Sequence, residues 1–337
     1  MHNHYTQNAL GRNRPGPRYN LRDVRFEFFR LRFYFEAVNR ICFSPGSSSN
    51  IVRGAFGGIL REIACTKGCG PDRHAAGCRY ARIFEPRTVD GHRPSGLADW
   101  PRPFVFRTRH LDGRAFDPLG AFCFDVHLFN VREPEVSYFV AALARLATDG
   151  IGPGRGRARL TAVDQLPADD NLGAFTRVWT GQDVVRGLQP SAIELAPAPA
   201  AINRVRVRFL TPTELKTGSS LAEQPDFPVL FARIRDRLST LSALYGAGPL
   251  ELDFRAMGRR AAEIETTDCE LHMENVERHS TRTGQVHSLG GFTGEAEYRG
   301  TLGEFLPFMR AARWTGVGRQ TVWGKGEIEI VEPVSRL

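Results

Sequence analysis

Apolar and polar side chains alternate along some stretches of the chain and recur with helical spacing along others. Residues 24–37 contain the clearest alternation, with apolar side chains at every second position from Leu31 to Phe35, which predicts a strand. Phe26 and Phe28 fall on the opposite phase, so a bulge is expected between the two sets. The same two patterns predict helices over 50–65 and 135–147, and strands over 104–107, 121–129 and up to about 163.

The second half of the chain repeats this arrangement of elements. Strands are predicted over 204–210, 250–257, 292–300 and 327–331, and helices over 227–245 and 302–314. Thr301 and Glu304 have the spacing of a capping box at the start of the last helix. Each half therefore has the order βαββαβ, which predicts an α+β fold made of two tandem ferredoxin-like, RRM-like domains.

These elements predict how the domains divide the chain. Residues 1–20 are polar and basic and are expected to form a mobile arm. The N-terminal domain is predicted over 21–200 and the C-terminal domain over 201–337, with an irregular stretch from 164 and an Ala-Pro linker at the boundary. Residues 258–291 are expected to be an irregular or hairpin-like insertion in the second domain.

In both halves a glycine-rich basic loop follows the second helix. The C-terminal loop, 315–326, and its N-terminal counterpart after residue 149 match in position and in composition, which indicates an internal duplication. Glycines allow close approach of the backbone to a ligand, and exposed N–H groups beside cations suit phosphate, although a plain turn has the same composition. The residues predicted to contact RNA here are Arg313, Gly316, Gly318, Arg319, Gly324, Lys325, Gly326, Arg155 and Arg157.

Composition and charge are compatible with a polyanionic partner. The 337 residues have a net charge of +8, and lysine occurs only at Lys67, Lys216 and Lys325, so arginine supplies almost all positive charge. Arginine suits phosphate contacts and stacking on bases, but a GC-rich genome would produce the same bias. Because the sequence has neither an apolar run of about 20 residues nor a secretory leader, we expect a cytoplasmic protein with no membrane partner.

Six cysteines at uneven spacing do not suggest a disulfide framework. Cys65, Cys69 and Cys78 lie in one short loop, 65–80, together with His74. Thiolate and imidazole are the ligands that zinc prefers, so this cysteine loop could hold a structural zinc. The spacing of Cys65 and Cys69 is wider than the usual zinc motif, which leaves reduced thiols and a solvated histidine as the alternative.

The sequence resembles a known protein family. The stretch GGFTGEAEYRGTLGEFLPFMRAARWTGVGRQTVWGKGEIEI is similar to the C-terminal pattern of the CRISPR-associated endoribonucleases that cut precursor CRISPR RNA within its repeats, in the repeat-associated mysterious protein (RAMP) superfamily. The segments VRVRFLTPTELKTG and NIVRGAFGGILREIAC also resemble that family. The resemblance implies two RAMP domains, repeat RNA as substrate and other CRISPR-associated effector subunits as partners.

The resemblance also implies a reaction. In that family the 2′-OH beside the scissile phosphate attacks it without a metal, leaving a 2′,3′-cyclic phosphate and a 5′-OH, and the product can stay bound. Many members carry a catalytic histidine on or near the first helix, yet residues 47–64 contain none. We therefore expect His279 as base or acid, Arg282 on the phosphate, His287 as the second candidate and Lys216 as proton donor or phosphate clamp.

Two other hypotheses stay open. The missing histidine of the first helix would fit a catalytically silent RAMP subunit that binds CRISPR RNA structurally. An unrelated ferredoxin-like enzyme with a phosphate-binding loop would also have glycine-rich turns. RNA binding separates the first two hypotheses from the third, and cleavage separates the first from the second.

Overall fold

The computed structural model describes residues 24–70, 73–86, 100–169, 173–198, 202–218, 220–274, 277–279, 286–288 and 290–332. The predicted arm over 1–20 lies outside these residues. The elements of the N-terminal half are β1 (Arg25–Ala37), β2 (Ile41–Cys42), α1 (Ser48–Ala64), α2 (Arg79–Phe84), β3 (Phe104–Arg107), β4 (Ala115–Phe116), β5 (Ala121–Leu128), α3 (Val136–Asp149), β6 (Ala158–Leu166), β7 (Thr176–Trp179) and β8 (Ser191–Glu194).

The C-terminal half has a second set of elements in the same order. They are β9 (Arg204–Thr213), β10 (Lys216–Thr217), β11 (Ser220–Leu221), α4 (Phe227–Tyr245), α5 (Phe254–Ala261), β12 (Glu265–Glu274), β13 (Glu277–His279), β14 (Val286–Ser288), β15 (Gly291–Arg299), α6 (Leu306–Thr315) and β16 (Ile328–Val331). The strand order is β3-β5-β1-β6-β7 in the first main sheet and β12-β15-β9-β16 in the second, with antiparallel neighbours. This topology confirms the predicted tandem ferredoxin-like domains.

Several local predictions differ from the structure. The expected strand over 250–257 is instead helix α5, because the Asp253 side chain accepts a hydrogen bond from Ala256 N (2.9 Å) and caps a helix there. The segment 258–291 is not only an insertion, since it supplies the edge strand β12. The irregular stretch from 164 contains the short strands β7 and β8.

The capping box predicted at Thr301 is absent, and helix α6 begins at Leu306. Glu304 instead pairs with Arg260 of α5 through two hydrogen bonds of 2.5 and 2.6 Å. A bidentate bond to an arginine is stronger than a neutral bond to a backbone N–H, so the carboxylate is used between helices.

The two apolar cores interlock at the domain boundary. Strand β1 faces both: Leu31 and Phe33 lie in the N-terminal core, whereas Phe26 and Phe28 lie in the C-terminal core. This division, rather than the expected bulge between the two sets, explains the change of phase, and the register shift of β1 lies between Tyr34 and Phe35. In the other direction, Val322 of the C-terminal half packs into the N-terminal core.

Candidate active site between the two domains

Helix α6 ends at the boundary between the domains, and basic side chains from both domains cap its end. Arg107 of β3 donates to the carbonyl oxygen of Trp314 (3.1 Å), and His127 Nδ1 donates to the same oxygen (2.9 Å). Arg237 of α4 donates to the carbonyl oxygen of Thr315 (3.1 Å). Cations stabilise the negative end of a helix dipole, so this junction fixes where the C-terminal glycine loop begins.

Burial lowers the pKa of each of these capping groups. Burial, reinforced by the nearby charge of Arg107, lowers the pKa of His127 to about 3. Burial also lowers the pKa of Arg237 to about 9 and the pKa of Arg107 below its usual value. His127 is therefore neutral near pH 7 and serves the domain junction as a hydrogen-bond donor, a role the sequence pattern did not indicate.

In the structure the C-terminal glycine loop comprises 316–326, because Thr315 is the last residue of α6, and it is built by close contacts between backbone segments. Gly318 and Gly326 have φ of 78° and 66°, a region that favours glycine. A Cβ on Gly326 would overlap the carbonyl oxygen of Val317, and one on Gly318 would overlap that of Glu214. Since Val317 N donates to Gly326 O (2.9 Å) and Arg319 N donates to Glu214 O (3.1 Å), part of the loop's N–H groups is used within the fold.

This loop docks on the N-terminal end of helix α1. Gly324 packs so closely against Ser49 that any Cβ would overlap the serine side chain, and the ring of Trp323 lies 4.8 Å from the Arg53 guanidinium. Asp112 Oδ1 accepts from Ser48 N (2.9 Å) and so caps α1 from outside the helix. The glycine loop thus contacts the start of α1, the helix on or near which many members of the resembling family carry a catalytic histidine.

Hydroxyl groups surround the start of α1. The hydroxyl oxygens of Ser48 and Ser49 lie 2.8 and 2.6 Å from Thr108 Oγ1. Ser48 and Thr108 are buried. Serine and threonine hydroxyls can donate and accept but do not titrate near pH 7, so an acid or base at this place must come from elsewhere.

Lys325 follows Gly324, the loop residue that contacts α1, and is only 5% exposed. Burial lowers its pKa, while the carboxylates of Glu274 and Asp112 act in the opposite direction. These two partners come from the end of β12 and from the segment that caps α1. A lysine with a lowered pKa can exchange a proton more readily near neutral pH, so Lys325 is a candidate acid as well as a predicted phosphate contact.

The predicted histidines lie on a hairpin that extends from the same end of the sheet. Glu274, the last residue of β12, pairs with Gly291, the first residue of β15, and the hairpin β13–β14 lies between them in sequence. His279 pairs with Val286, and His287 belongs to the adjacent pair. Because Glu274 interacts with Lys325, the hairpin starts beside the glycine loop. Arg282 lies outside the described residues.

Lys216 is brought to another face of the glycine loop. It is exposed on β10 and lines a cavity of about 170 Å³ together with Arg233, Gly318 and Arg319. Arg319 also forms an ion pair with Glu214 (3.0 Å). The structure therefore brings Lys216 and Arg319 together, as a pair of cations beside the loop.

A basic groove runs between the two domains on the side of Arg313. Its cavity, about 240 Å³, is lined by four arginines, one histidine, three acidic residues and apolar side chains: Arg30, Arg107, Arg109, Arg313, His127, Asp125, Glu327, Glu329, Leu210, Trp314 and Ile328. The buried Nη1 of Arg107 has no hydrogen-bond partner among the described residues. Arg313 lies 4.9 Å from the ring of Trp314. Because that atom is buried, Arg107 forms the wall of the groove, whereas the exposed guanidinium groups of Arg109 and Arg313 suit a phosphate oxygen.

The N-terminal counterpart loop has a simpler environment. Arg155 Nη2 donates to Asp149 O at the end of α3 (3.1 Å), and Arg157 Nε donates to Asn39 Oδ1 (3.0 Å). Both side chains are exposed, and these bonds lie within the N-terminal half. Their predicted contact with RNA stays a prediction.

The cysteine loop brings its four predicted ligands together. One ligand atom each from Cys65, Cys69, His74 and Cys78 lies within 4.8 Å of the others. These residues can hold a metal ion, which confirms the clustering expected from the sequence. The loop connects α1 with α2, on the far end of α1 from the glycine loop.

Two protein-family models match parts of the chain. A family model for the CRISPR-associated endoribonuclease Cas6 matches residues 207–328, and a model described as an N-terminal domain (AF_1859_N) matches residues 26–192. No protein of curated function matches the chain in sequence. Among the described residues, none of the helices combines the length and the apolar character that crossing a bilayer requires.

Two solved structures resemble the whole chain in fold. A Cas6 product complex from Thermus thermophilus is 18% identical, and the match covers 91% of this chain and 100% of that one with a TM-score of 0.52. A partial Cas6-RT-Cas1–Cas2 complex is 13% identical, and the match covers 92% of this chain and 47% of that one with a TM-score of 0.53. At these identities the likeness concerns the fold.

The topology defines a protein with two ferredoxin-like domains joined at the glycine loop. Its C-terminal domain matches the family model of the CRISPR-associated endoribonuclease Cas6. This match confirms the family resemblance found in the sequence.

Proposed function

We propose that the protein cuts precursor CRISPR RNA within its repeats by metal-independent attack of the 2′-OH, leaving a 2′,3′-cyclic phosphate and a 5′-OH. The observation that carries the proposal is the buried Lys325 at the contact between the glycine loop and α1, within a Cas6-family domain. The hairpin that carries His279 and His287 follows Glu274, whose carboxylate interacts with Lys325, and this supports the proposal.

The reaction needs three functions from the protein. A base takes the proton of the 2′-OH, an acid gives a proton to the leaving 5′-oxygen, and cations stabilise the charge on the phosphorane. We assign His279 as the base, with His287 as the second candidate, and Lys325 as the acid. Arg282 and Lys216 remain the proposed phosphate contacts.

The rest of the substrate would follow the basic surfaces around the domain boundary. Arg313 and Arg107 line the interdomain groove, and Arg319 lies with Lys216 on the other face of the loop. Trp314 is only 6% exposed, so its main role is packing rather than base stacking. Arginine contacts of this kind bind the phosphate backbone and make affinity depend on salt.

The test is cleavage of a repeat RNA panel in buffer without divalent cations, with the zinc content of each sample measured afterwards. We expect products with 2′,3′-cyclic phosphate and 5′-OH ends. His279→Ala and Lys325→Met should each reduce the single-turnover rate by about 100-fold or more, which is the usual contribution of one acid–base group. His272→Ala and Lys67→Met are matched controls, because both residues are exposed and lie outside the proposed chemistry.

The outcomes separate the roles. Loss of activity in His287→Ala but not in His279→Ala would move the base to the second histidine. Full activity in both histidine variants and in Lys325→Met would contradict the proposed site. Activity that requires an added divalent cation would contradict the mechanism.

A second candidate function is a catalytically silent RAMP subunit that holds CRISPR RNA within an effector complex. The start of α1 favours it, because Ser48 and Ser49 place hydroxyls there and residues 47–64 contain no histidine. Tight binding of repeat RNA without cleavage in the same experiment would establish this function instead. Retention of the cut product would show as single-turnover kinetics.

A further inference from the structure

The cysteine loop is a structural device at the far end of helix α1. Cys65 directly follows the last residue of α1, and Cys78 directly precedes the first residue of α2. Cys69 and His74 lie in the loop between them. A ligand held by all four side chains would therefore fasten the end of one helix to the start of the next.

The distances among Cys65, His74 and Cys78 have the values of a tetrahedral zinc site, and the sulfur of Cys69 lies within 4.8 Å of the other three ligand atoms. His74 Nδ1 lies 3.5 Å from Cys65 Sγ and 3.6 Å from Cys78 Sγ, and the two sulfurs are 3.9 Å apart. Zinc bonds of about 2.3 Å to sulfur and about 2.0 Å to nitrogen, at tetrahedral angles, require edges of about 3.8 Å between sulfurs and about 3.5 Å between sulfur and nitrogen. We propose that Cys65, Cys69, His74 and Cys78 bind one zinc ion, which holds α2 in the position that supports the glycine loop.

Other chemistry of the cluster fits these distances less well. A disulfide requires sulfurs about 2.05 Å apart, whereas Cys65 and Cys78 are separated by 3.9 Å. A mixed set of thiolates and one imidazole, closed by four protein ligands, is typical of structural zinc.

Two of the four ligand residues are held in place by hydrogen bonds with neighbouring residues, as is usual in zinc proteins. His74 Nε2 lies 3.4 Å from Glu85 Oε2, and Tyr80 donates its hydroxyl proton to Glu85 Oε1 (3.0 Å). Ala75 N lies 3.3 Å from Cys69 Sγ and donates to it. A carboxylate on the second nitrogen of a ligating histidine fixes the ring and strengthens it as a ligand.

A continuous stack of side chains connects this site with the glycine loop. Tyr80 packs on Phe84 within α2, with ring centres 5.5 Å apart. The guanidinium of Arg53 on α1 lies between the rings of Phe84 (4.5 Å) and Trp323 (4.8 Å). Since Trp323 belongs to the glycine loop, a displaced α2 removes one side of the support on which that loop rests.

Metal content is the first test, and it uses the full chain as purified. We expect one zinc per chain by elemental analysis, and a cobalt-substituted protein with the visible bands of tetrahedral thiolate coordination. Cys78→Ser should lose both signals. Cys42→Ser is the matched control, because Cys42 is an exposed cysteine outside the cluster. Purified protein without zinc that also gives no tetrahedral cobalt spectrum, or a disulfide within the loop, would overturn the proposal.

A second variant tests the contact between Glu85 and His74 without removing a zinc ligand. Glu85→Gln should keep the zinc but weaken its binding by about 10- to 100-fold in competition with a chelator. Glu62→Gln, an exposed position on α1, should leave zinc affinity unchanged. Equal affinities in both variants would remove Glu85 from the proposed site.

Hydrogen exchange tests the link to the glycine loop. Chelation of the zinc should raise amide exchange in residues 316–326, whereas strands β9 and β15 should keep their protection. Unchanged exchange in 316–326 after complete zinc loss would overturn the support role. These measurements follow metal and exchange, so their outcome is independent of whether the protein cleaves RNA.

Discussion

The two glycine-rich loops occupy equivalent places in the duplicated fold, yet they dock on different partners. The N-terminal loop closes on itself through paired backbone bonds between Ile151 and Gly156 (2.8 and 3.1 Å). It then packs on a neighbouring segment of its own domain, where a Cβ on Gly152 would lie 2.6 Å from Cys42 O. The C-terminal loop instead crosses the boundary and contacts α1 at Ser49.

This difference shows what the repetition of a motif does and does not establish. Close approach of backbones requires glycine in both loops, so the shared composition has a structural cause. Only the C-terminal loop joins two domains, carries a buried lysine and follows a helix whose end is capped by Arg107 and His127. This difference supports the proposal that RNA cleavage takes place at the C-terminal loop.

The largest effect should come from adding a methyl group at the tightest glycine. Gly326→Ala would overlap Val317 O and force a side chain into φ of 66°. We expect the free energy of unfolding to fall by about 3 kcal/mol or more, with loss of RNA cleavage. Urea unfolding and a cleavage assay on the same preparation measure both effects.

The matched control lies in the other loop. Gly154 has open space around its Cα and no positive φ, so Gly154→Ala should change stability by no more than about 0.5 kcal/mol. Similar losses in the two variants would mean that the loops are equally constrained, against the contrast drawn here.

Acid should loosen the anchor of the C-terminal loop. His127, which lies near Arg107, Arg30 and Asp125, has a pKa of about 3 in the folded protein, against about 6.5 when unfolded. The unfolded chain binds a proton that the folded protein does not, so stability is full above pH 6.5 and falls as the pH drops toward 3. Between these two pH values, His127 contributes about 1.4 kcal/mol per pH unit to the slope of the unfolding free energy against pH.

The free energy of unfolding of the His127→Asn variant, measured at several pH values between 7 and 4, gives the contribution of His127. The asparagine amide can keep the bond to Trp314 O but does not titrate, so the slope should be smaller than in the wild type. His110→Asn, at an exposed position, should keep the wild-type slope. An unchanged slope in His127→Asn would show that another group controls the acid transition.

The smallest predicted effect is a difference in RNA binding between Arg313, beside the C-terminal loop, and Arg155, in the N-terminal loop. Arg313→Ala should reduce the dependence of RNA affinity on salt by about 0.7 in the logarithmic slope, the value for one phosphate contact of a single strand. Arg155→Ala should change it less, because Arg155 is bonded to the end of α3. Filter binding at several salt concentrations gives both slopes. Equal reductions would show that the N-terminal loop also contacts RNA.

The sequence predicted elements well where local pattern and burial agree. The helix over Phe227–Tyr245 has its apolar residues at helical spacing on one core, and its predicted and observed limits coincide. The predicted strand over 250–257 failed because a local cap at Asp253 favours a helix. The clustering of Cys65 with Cys78 followed from spacing within one loop.

The candidate site was less accessible to sequence reasoning because its parts are distant along the chain. Burial lowers the pKa of Lys325 against the opposing charges of Glu274 and Asp112, and no local sequence pattern indicates either the burial or these neighbours. The cap on α6 likewise joins His127 to Trp314 across the domain boundary. Only the glycines on both sides of Lys325 marked the place in advance.

The first strand has a consequence for how the chain matures on the ribosome. Strand β1 is among the earliest structured segments to be synthesised, but Phe26 and Phe28 are covered by side chains of the C-terminal half, including Trp314 at 5.2 Å from the Phe28 ring. The N-terminal domain can collapse first and place Phe129 and His127 beside these rings, yet their burial stays incomplete until nearly the entire chain has emerged. Truncated translation products would leave the rings partly exposed, and we expect this strand to be a site for chaperone binding during synthesis.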